Sequence, residues 1–127
     1  MIRVNRDGLY VLDLERAREF YEHFFAAAVG GKYHDVRTGI ESYFLSFDEG
    51  SRLELMTRLG LLEGEPAQEA EWNDLAISTG SAAAVDDLTR QLALAGYPAS
   101  SRPRTTGDGY YECVVPDPEG NLIEITI

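Results

Sequence analysis

A single cysteine, Cys113, leaves this chain of 127 residues without an internal disulfide. It also rules out zinc sites built from several thiolates, so any metal must be held by oxygen or imidazole. Basic residues are scarce: 11 Lys and Arg stand against 22 Asp and Glu, a formal charge of −11 with a pI near 4.5. That is the wrong sign for neutralising phosphates, which excludes nucleic acid and anionic membrane surfaces as partners. No run approaches the roughly 18 consecutive apolar residues of a spanning helix. The opening MIRVNRDGLYVLDLE lacks the basic-then-apolar order of a secretory signal, so a cytoplasmic location is expected. What is present, 44% hydrophobic residues, suffices for the core of one domain over residues 1–127.

Periodicity organises that domain. Gly8 to Leu12 is short and apolar, after which Leu14, Ala17, Phe20, Tyr21, Phe24, Phe25 and Ala28 recur at intervals suited to one helix face. Asp13 is a good N-cap, because its carboxylate can accept the unpaired N–H groups of the first turn, and Gly30-Gly31 supplies the stop. The runs KYHDV, ESYFLSF and RLELMT follow as strands, separated by turns at Thr38-Gly39 and Asp48 to Gly50. Beyond a Gly, Glu and Pro-containing segment the order returns. DLAIS reads as a strand, Ser81 caps a helix carrying Val85, Leu88, Leu92 and Ala95, Gly96 ends it, and YPASS, YYECVV and NLIEITI read as strands. The unit strand, helix, three strands thus occurs twice, over residues 1–60 and 71–127.

The halves match residue against residue: Val11 to Phe20 and Thr79 to Leu88 have equal spacing, as do Gly50 to Glu54 and Gly120 to Glu124. One helix per sheet covers one sheet face and leaves the other free to curl into a cleft. Parity on the first strands puts Leu9 and Val11, or Leu75 and Ile77, under the helix. Arg6, Gly8 and Tyr10, or Asp74, Ala76 and Ser78, then face the other way. Glu54 and Glu124 occupy matching places on the last strands, so Arg6, Glu54, Asp74 and Glu124 are expected to meet in one cup.

The runs LYVLDLERAREFYEHFF, YFLSFDEGSRLELM and GDGYYECVVPDPEGNLIEIT together resemble the glyoxalase, bleomycin-resistance and extradiol-dioxygenase superfamily, also called vicinal oxygen chelate proteins. The resemblance implies an α+β fold in which two βαβββ modules form a cup-shaped mixed sheet, usually as a homodimer. It implies a divalent metal in the cup, bound to adjacent oxygens of a small-molecule ligand. Family metal ligands come from the first and last strands of each module, commonly histidine, glutamate, histidine, glutamate. The glutamates match Glu54 and Glu124, the first histidine falls on Arg6 and the second on Asp74. By resemblance Glu54 and Glu124 are the catalytic candidates, and Glu54, Asp74 and Glu124 the metal candidates.

Two arrangements of these groups exclude each other. Three carboxylates at about 4 Å repel by on the order of 4 kcal/mol per pair at an effective dielectric near 20, so a cation must neutralise them. A divalent ion is one solution, and an all-oxygen set suits magnesium, manganese or calcium better than zinc or nickel. Arg6 is the other, as a metal-free ion pair, because a guanidinium cannot become a ligand and its charge opposes an incoming metal. The first arrangement implies a lactoylglutathione-lyase-like enzyme, a metal-assisted lyase or isomerase acting on a small oxygen-rich substrate, with one glutamate moving a proton between neighbouring carbons. The second implies a binding protein of the bleomycin-resistance type for a small cationic or aromatic compound, and the negative charge of the chain favours a cation. A scaffold kept for its dimer interface is a third reading.

The segment PRTTGDGYY offers Arg104 and Tyr110 as substrate-binding handles beside Arg6 and Tyr10, or is simply the hairpin loop before YYECVV. Tyr10, Phe44 and Trp72 are candidate aromatic walls, and Cys113 reads as an inert buried thiol.

Overall fold

Asp13 starts the first helix as its position predicts: its carboxylate accepts the Arg16 backbone N–H at 3.0 Å, and α1 follows over Leu14–Phe25. This is seen in a computed structural model, which describes residues 2, 6–58, 75–107 and 109–127. Leu14, Ala17, Phe20, Tyr21 and Phe25 form the buried side of the helix. The helix stops short of the end that the apolar pattern predicts. Ala26 turns left-handed at φ 53°, and Ala28–Val29 become a short strand, β2, paired with Ser46 and Leu45. Helical spacing carries no information about an open strand edge, and the edge of the strand Ile40–Ser46 takes these residues as its partner.

The chain divides into two compact units, Met1–Glu69 and Ala70–Ile127. In the first, β1 (Asp7–Tyr10), β3 (Tyr33–Asp35), β4 (Ile40–Ser46) and β5 (Arg52–Arg58) join β2 in one sheet. Its order is β1-β5-β4-β2, with β3 also on β4, and β1 runs parallel to β5. In the second, β6 (Leu75–Ser78), α2 (Ala82–Leu94), β7 (Ser101–Thr105), β8 (Tyr111–Pro116) and β9 (Leu122–Thr126) give the order β6-β9-β8-β7, with β6 parallel to β9. The repeat is seen in both sheets, with β2 an additional strand of the first, and the registers coincide: Gly8 pairs with Glu54 as Ala76 pairs with Glu124.

The matching hairpins make the repeat explicit. Phe47 N–H donates to Ser51 O at 3.0 Å and Gly50 N–H to Phe47 O at 2.9 Å; Asp117 to Asn121 O at 2.8 Å and Gly120 to Asp117 O at 3.0 Å reproduce the pattern. Gly50 at φ 96° and Gly120 at φ 86° hold the left-handed position that such a turn needs and that a Cβ penalises. The second strand of the second module lies later than YPASS predicts. Gly96 at φ 97° donates to Ala93 O and Tyr97 to Leu92 O, a helix-terminating pair of bonds that keeps Tyr97 against the end of α2. The strand begins only at Ser101, on the sheet edge, where Pro103 falls within an irregular stretch of the β7 register and removes no ladder bond from a central strand.

Each core lies between helix and sheet. Leu9, Val11, Leu45, Leu53 and Leu55 are buried with the apolar side of α1, and Val85, Leu92, Cys113, Val115, Ile123 and Ile125 are buried in the second module. In both modules a sheet tyrosine reaches a helix carboxylate: Tyr43 Oη donates to Glu15 at 3.0 Å and Tyr111 Oη to Asp86 at 2.6 Å. Lys32 Nζ adds contacts of 3.3 Å to Glu15 and 2.7 Å to Glu41. Burial pushes the Glu15 carboxyl up, but hydrogen bonds from Tyr43, Lys32 and Arg18 outweigh it and hold the group below its ordinary value. The Lys32 hydrogen bond holds Glu41 down in the same direction.

Both folded-state values lie below the unfolded ones, so their stabilisation is complete above the unfolded carboxylate range and is lost as pH falls through the folded values. Glu15→Gln is expected to flatten this acid limb. Urea melts from neutrality into the acid range check it; an unchanged slope would show that the network contributes nothing.

Candidate functional site

The face of the first sheet that points away from α1 is read directly from the register. Gly8, Glu54 and Phe44 stand side by side on β1, β5 and β4, and Tyr10, Met56 and Ser42 form the next row. On the other side of the Glu54 row, Arg52 pairs with Ser46. Continuing the parallel register by one residue beyond Asp7 sets Arg6 opposite Arg52. Alternation puts these residues on one face, because their neighbours Leu53, Leu55, Leu9 and Leu45 are buried on the other.

The side chains converge on the centre of this grid. Arg6 Nε lies 3.3 Å from Glu54 Oε1, with the Glu54 side chain 16% exposed and that of Arg6 49%. The Arg6 Cζ sits 5.4 Å from the Phe44 ring centroid, and the Arg52 Cζ sits 4.9 Å from the same centroid. Both distances fall within the reach of cation–π attraction. Gly8 leaves the floor open to Met56, whose Cε would lie 2.8 Å from a Cβ built at that position. Among the described residues, Ser42 Oγ is the one buried side-chain polar atom with no hydrogen-bond partner.

Of the sequence-predicted site residues, the structure brings Arg6 and Glu54 together and puts Tyr10 on their face. Glu124 holds the equivalent place in the second module, half-buried between Ala76 and Val114. Asp74 and Trp72 lie outside the described residues. Arg104 is an exposed residue of β7 opposite Glu112, and Tyr110 is 57% exposed in the β7–β8 hairpin. That segment is a hairpin: Thr106 N–H bonds Tyr110 O at 2.7 Å and Gly109 N–H bonds Thr106 O at 2.9 Å. Cys113 is buried with its Sγ 2.9 Å from Thr89 Oγ1, and burial pushes its thiol up, as suits an inert core cysteine.

Arg52 is absent from the sequence-predicted set. Its signal was nevertheless available, since a residue two positions before Glu54 on one strand must share the face of Glu54.

The family model described as the Glyoxalase/Bleomycin resistance protein/Dioxygenase superfamily matches residues 3–125. The chain belongs to this superfamily. Its solved relatives in the glyoxalase superfamily share the fold over nearly the whole length. A glyoxylase/bleomycin resistance protein/dioxygenase domain from Frankia sp. EAN1pec superposes with a TM-score of 0.81 at 17% identity, covering 100% of this chain and 98% of that one. A possible glyoxalase from Bacillus cereus gives 0.74 at 20%, with both chains covered fully. The trypanothione-dependent glyoxalase I of Leishmania major gives 0.76 at 21%, over 99% of this chain and 86% of that one. At these identities the likeness speaks for the fold alone. A comparison with curated proteins returned no match.

The donor set of the first module does not fit a divalent metal. A site of the kind the resemblance implies takes one ligand from β1 and one from β5. Here the β1 side offers a guanidinium, which has no lone pair to give and already holds the β5 carboxylate. A second guanidinium in the same row adds to the repulsion of a cation. Among the described residues, no three His, Cys, Asp or Glu side chains form a metal-binding group. None of the described helices is long and apolar enough to cross a membrane.

Proposed function

We propose that this member of the glyoxalase superfamily works without a metal, as a binding protein for a small organic molecule held on the helix-free face of the first module. The observation that carries this reading is the Arg6–Glu54 ion pair, which supplies internally the charge neutralisation that a metal would otherwise bring. A metal-assisted lyase needs Glu54 as a ligand or a mobile base. A carboxylate tied to a fixed cation at 3.3 Å is poorly suited to either role.

Other features of the face support the reading. Phe44 gives a flat apolar wall, and Tyr10 stands on the same face one row further along.

The test is direct. The purified chain is expected to show no thermal stabilisation by manganese, nickel or zinc, and no metal retained after dialysis. It should not isomerise the hemithioacetal of methylglyoxal and glutathione whether or not metal is added. Metal-dependent stabilisation that Glu54→Gln abolishes would overturn the reading and restore the metal-assisted one.

A further inference from the structure

We propose that the row formed by Arg6, Arg52 and Ser46 is the seat of a carboxylate group on that small organic molecule, with the Arg52 guanidinium as its principal hydrogen-bond donor. The proposal rests on the metal-free reading of the same face and names the chemistry it selects.

Charge is the first argument. Like charges held close together repel, yet the Arg6 and Arg52 guanidinium groups both lie over one phenyl ring. Glu54 offsets the Arg6 charge. No acid among the described residues lies within ion-pair distance of Arg52, so the described groups at this corner carry a surplus of one positive charge. A carboxylate restores neutrality. A phosphate dianion would overshoot beside Glu54, and an organic cation would be repelled. The chain as a whole carries −11, but charges more than about 8–10 Å away are largely screened at physiological salt, so contact-range charge decides what binds here.

Geometry is the second argument. A guanidinium presents a planar fork of donors that matches a carboxylate in a bidentate fashion. Phe44 holds the Arg52 guanidinium over its ring, so less side-chain freedom remains to be lost when an anion docks. Ser46, directly across from Arg52, adds a hydroxyl to the same row.

The repeat supplies an internal control. In the second module Leu122 stands where Arg52 stands relative to its glutamate, and Val114 pairs with Glu124 as Phe44 pairs with Glu54. That module builds the same sheet without a guanidinium or a phenyl group at these places, so the fold does not require them.

Benzoate, benzylamine and inorganic phosphate titrated into the 15N-labelled full chain test the proposal by amide chemical shifts. Benzoate is expected to shift the amides of Phe44, Ser46 and Arg52 saturably, while benzylamine and phosphate do not compete for them. Arg52→Gln should weaken benzoate by about tenfold or more, with Arg52→Lys in between because it keeps the charge and loses the fork. The variants' own amide spectra report that they are folded, and Arg52→Lys serves as the test if Arg52→Gln is not. Shifts that map elsewhere, equal binding of phosphate, preference for benzylamine, or indifference to both substitutions would overturn the proposal. Absence of benzoate binding together with absence of metal binding overturns this inference alone, whereas metal binding through Glu54 overturns the reading beneath it.

Discussion

Leu55→Ala is expected to cost about 2–5 kcal/mol of unfolding free energy, a large share of the roughly 5–15 kcal/mol that holds a domain of this size folded. Leu55 is fully buried near the middle of β5, between Leu9 of β1 and Tyr43 of β4, on the face that α1 covers. Truncation removes buried apolar area and leaves a cavity that three strands and a helix cannot easily close. The adjacent Met56 makes the comparison sharp. It points to the opposite, helix-free face and is only half-buried, so Met56→Ala should lose much less. Urea denaturation of the two variants, with the denaturant slopes compared, measures the difference. A Met56 loss equal to that of Leu55 would mean that the faces of β5 have been assigned the wrong way round.

Asp117→Ala is expected to cost about 3 kcal/mol or more, through unsatisfied donors rather than a cavity. Asp117 is 4% exposed, and its carboxylate accepts the Glu119 N–H at 2.9 Å, the Asn121 N–H at 2.9 Å and the Asn121 Nδ2 at 3.0 Å. Hydrogen bonds to a charged group are stronger than neutral ones, and removal of the acceptor leaves buried amides unpaired. Asp117→Asn retains a carbonyl acceptor and should fall between wild type and alanine. The first module closes the corresponding turn with Phe47 and the same backbone bonds, so the effect is confined to the β8–β9 hairpin. Hydrogen exchange should therefore accelerate in β8 and β9 while the amides of β4 and β5 stay protected. Equal acceleration in both hairpins would refute the local origin of the stabilisation.

Much of this architecture is legible in the residues because its signals are local. Asp13 and Ser81 accept backbone N–H groups at the starts of their helices, and a glycine occupies the left-handed position in both hairpins. Alternation along β1 and β5 predicts which of Leu9, Glu54 and Leu55 turn toward the helix, since side chains on a strand change faces at every residue. The misplacements are equally instructive. Ala28 continues a helical spacing yet joins a strand, because the vacant edge of β4 belongs to residues far along the chain. YPASS has strand-like composition, but the terminating bonds of α2 hold its first residue and postpone β7.

The candidate site divides along the same line. Local pattern suffices for the presence of glutamates in matched register, which follows from spacing within a repeat, whereas the place of Arg6 at a family histidine position is what the resemblance implies. Which acid Arg6 would neutralise, and that Arg52 would share its aromatic support, depended on the parallel pairing of β1 with β5. That pairing joins strands separated in the chain by a helix and three further strands. Propensity and periodicity act over a few neighbours, whereas the electrostatic balance of a sheet face is set by residues that meet only after the chain has folded back on itself.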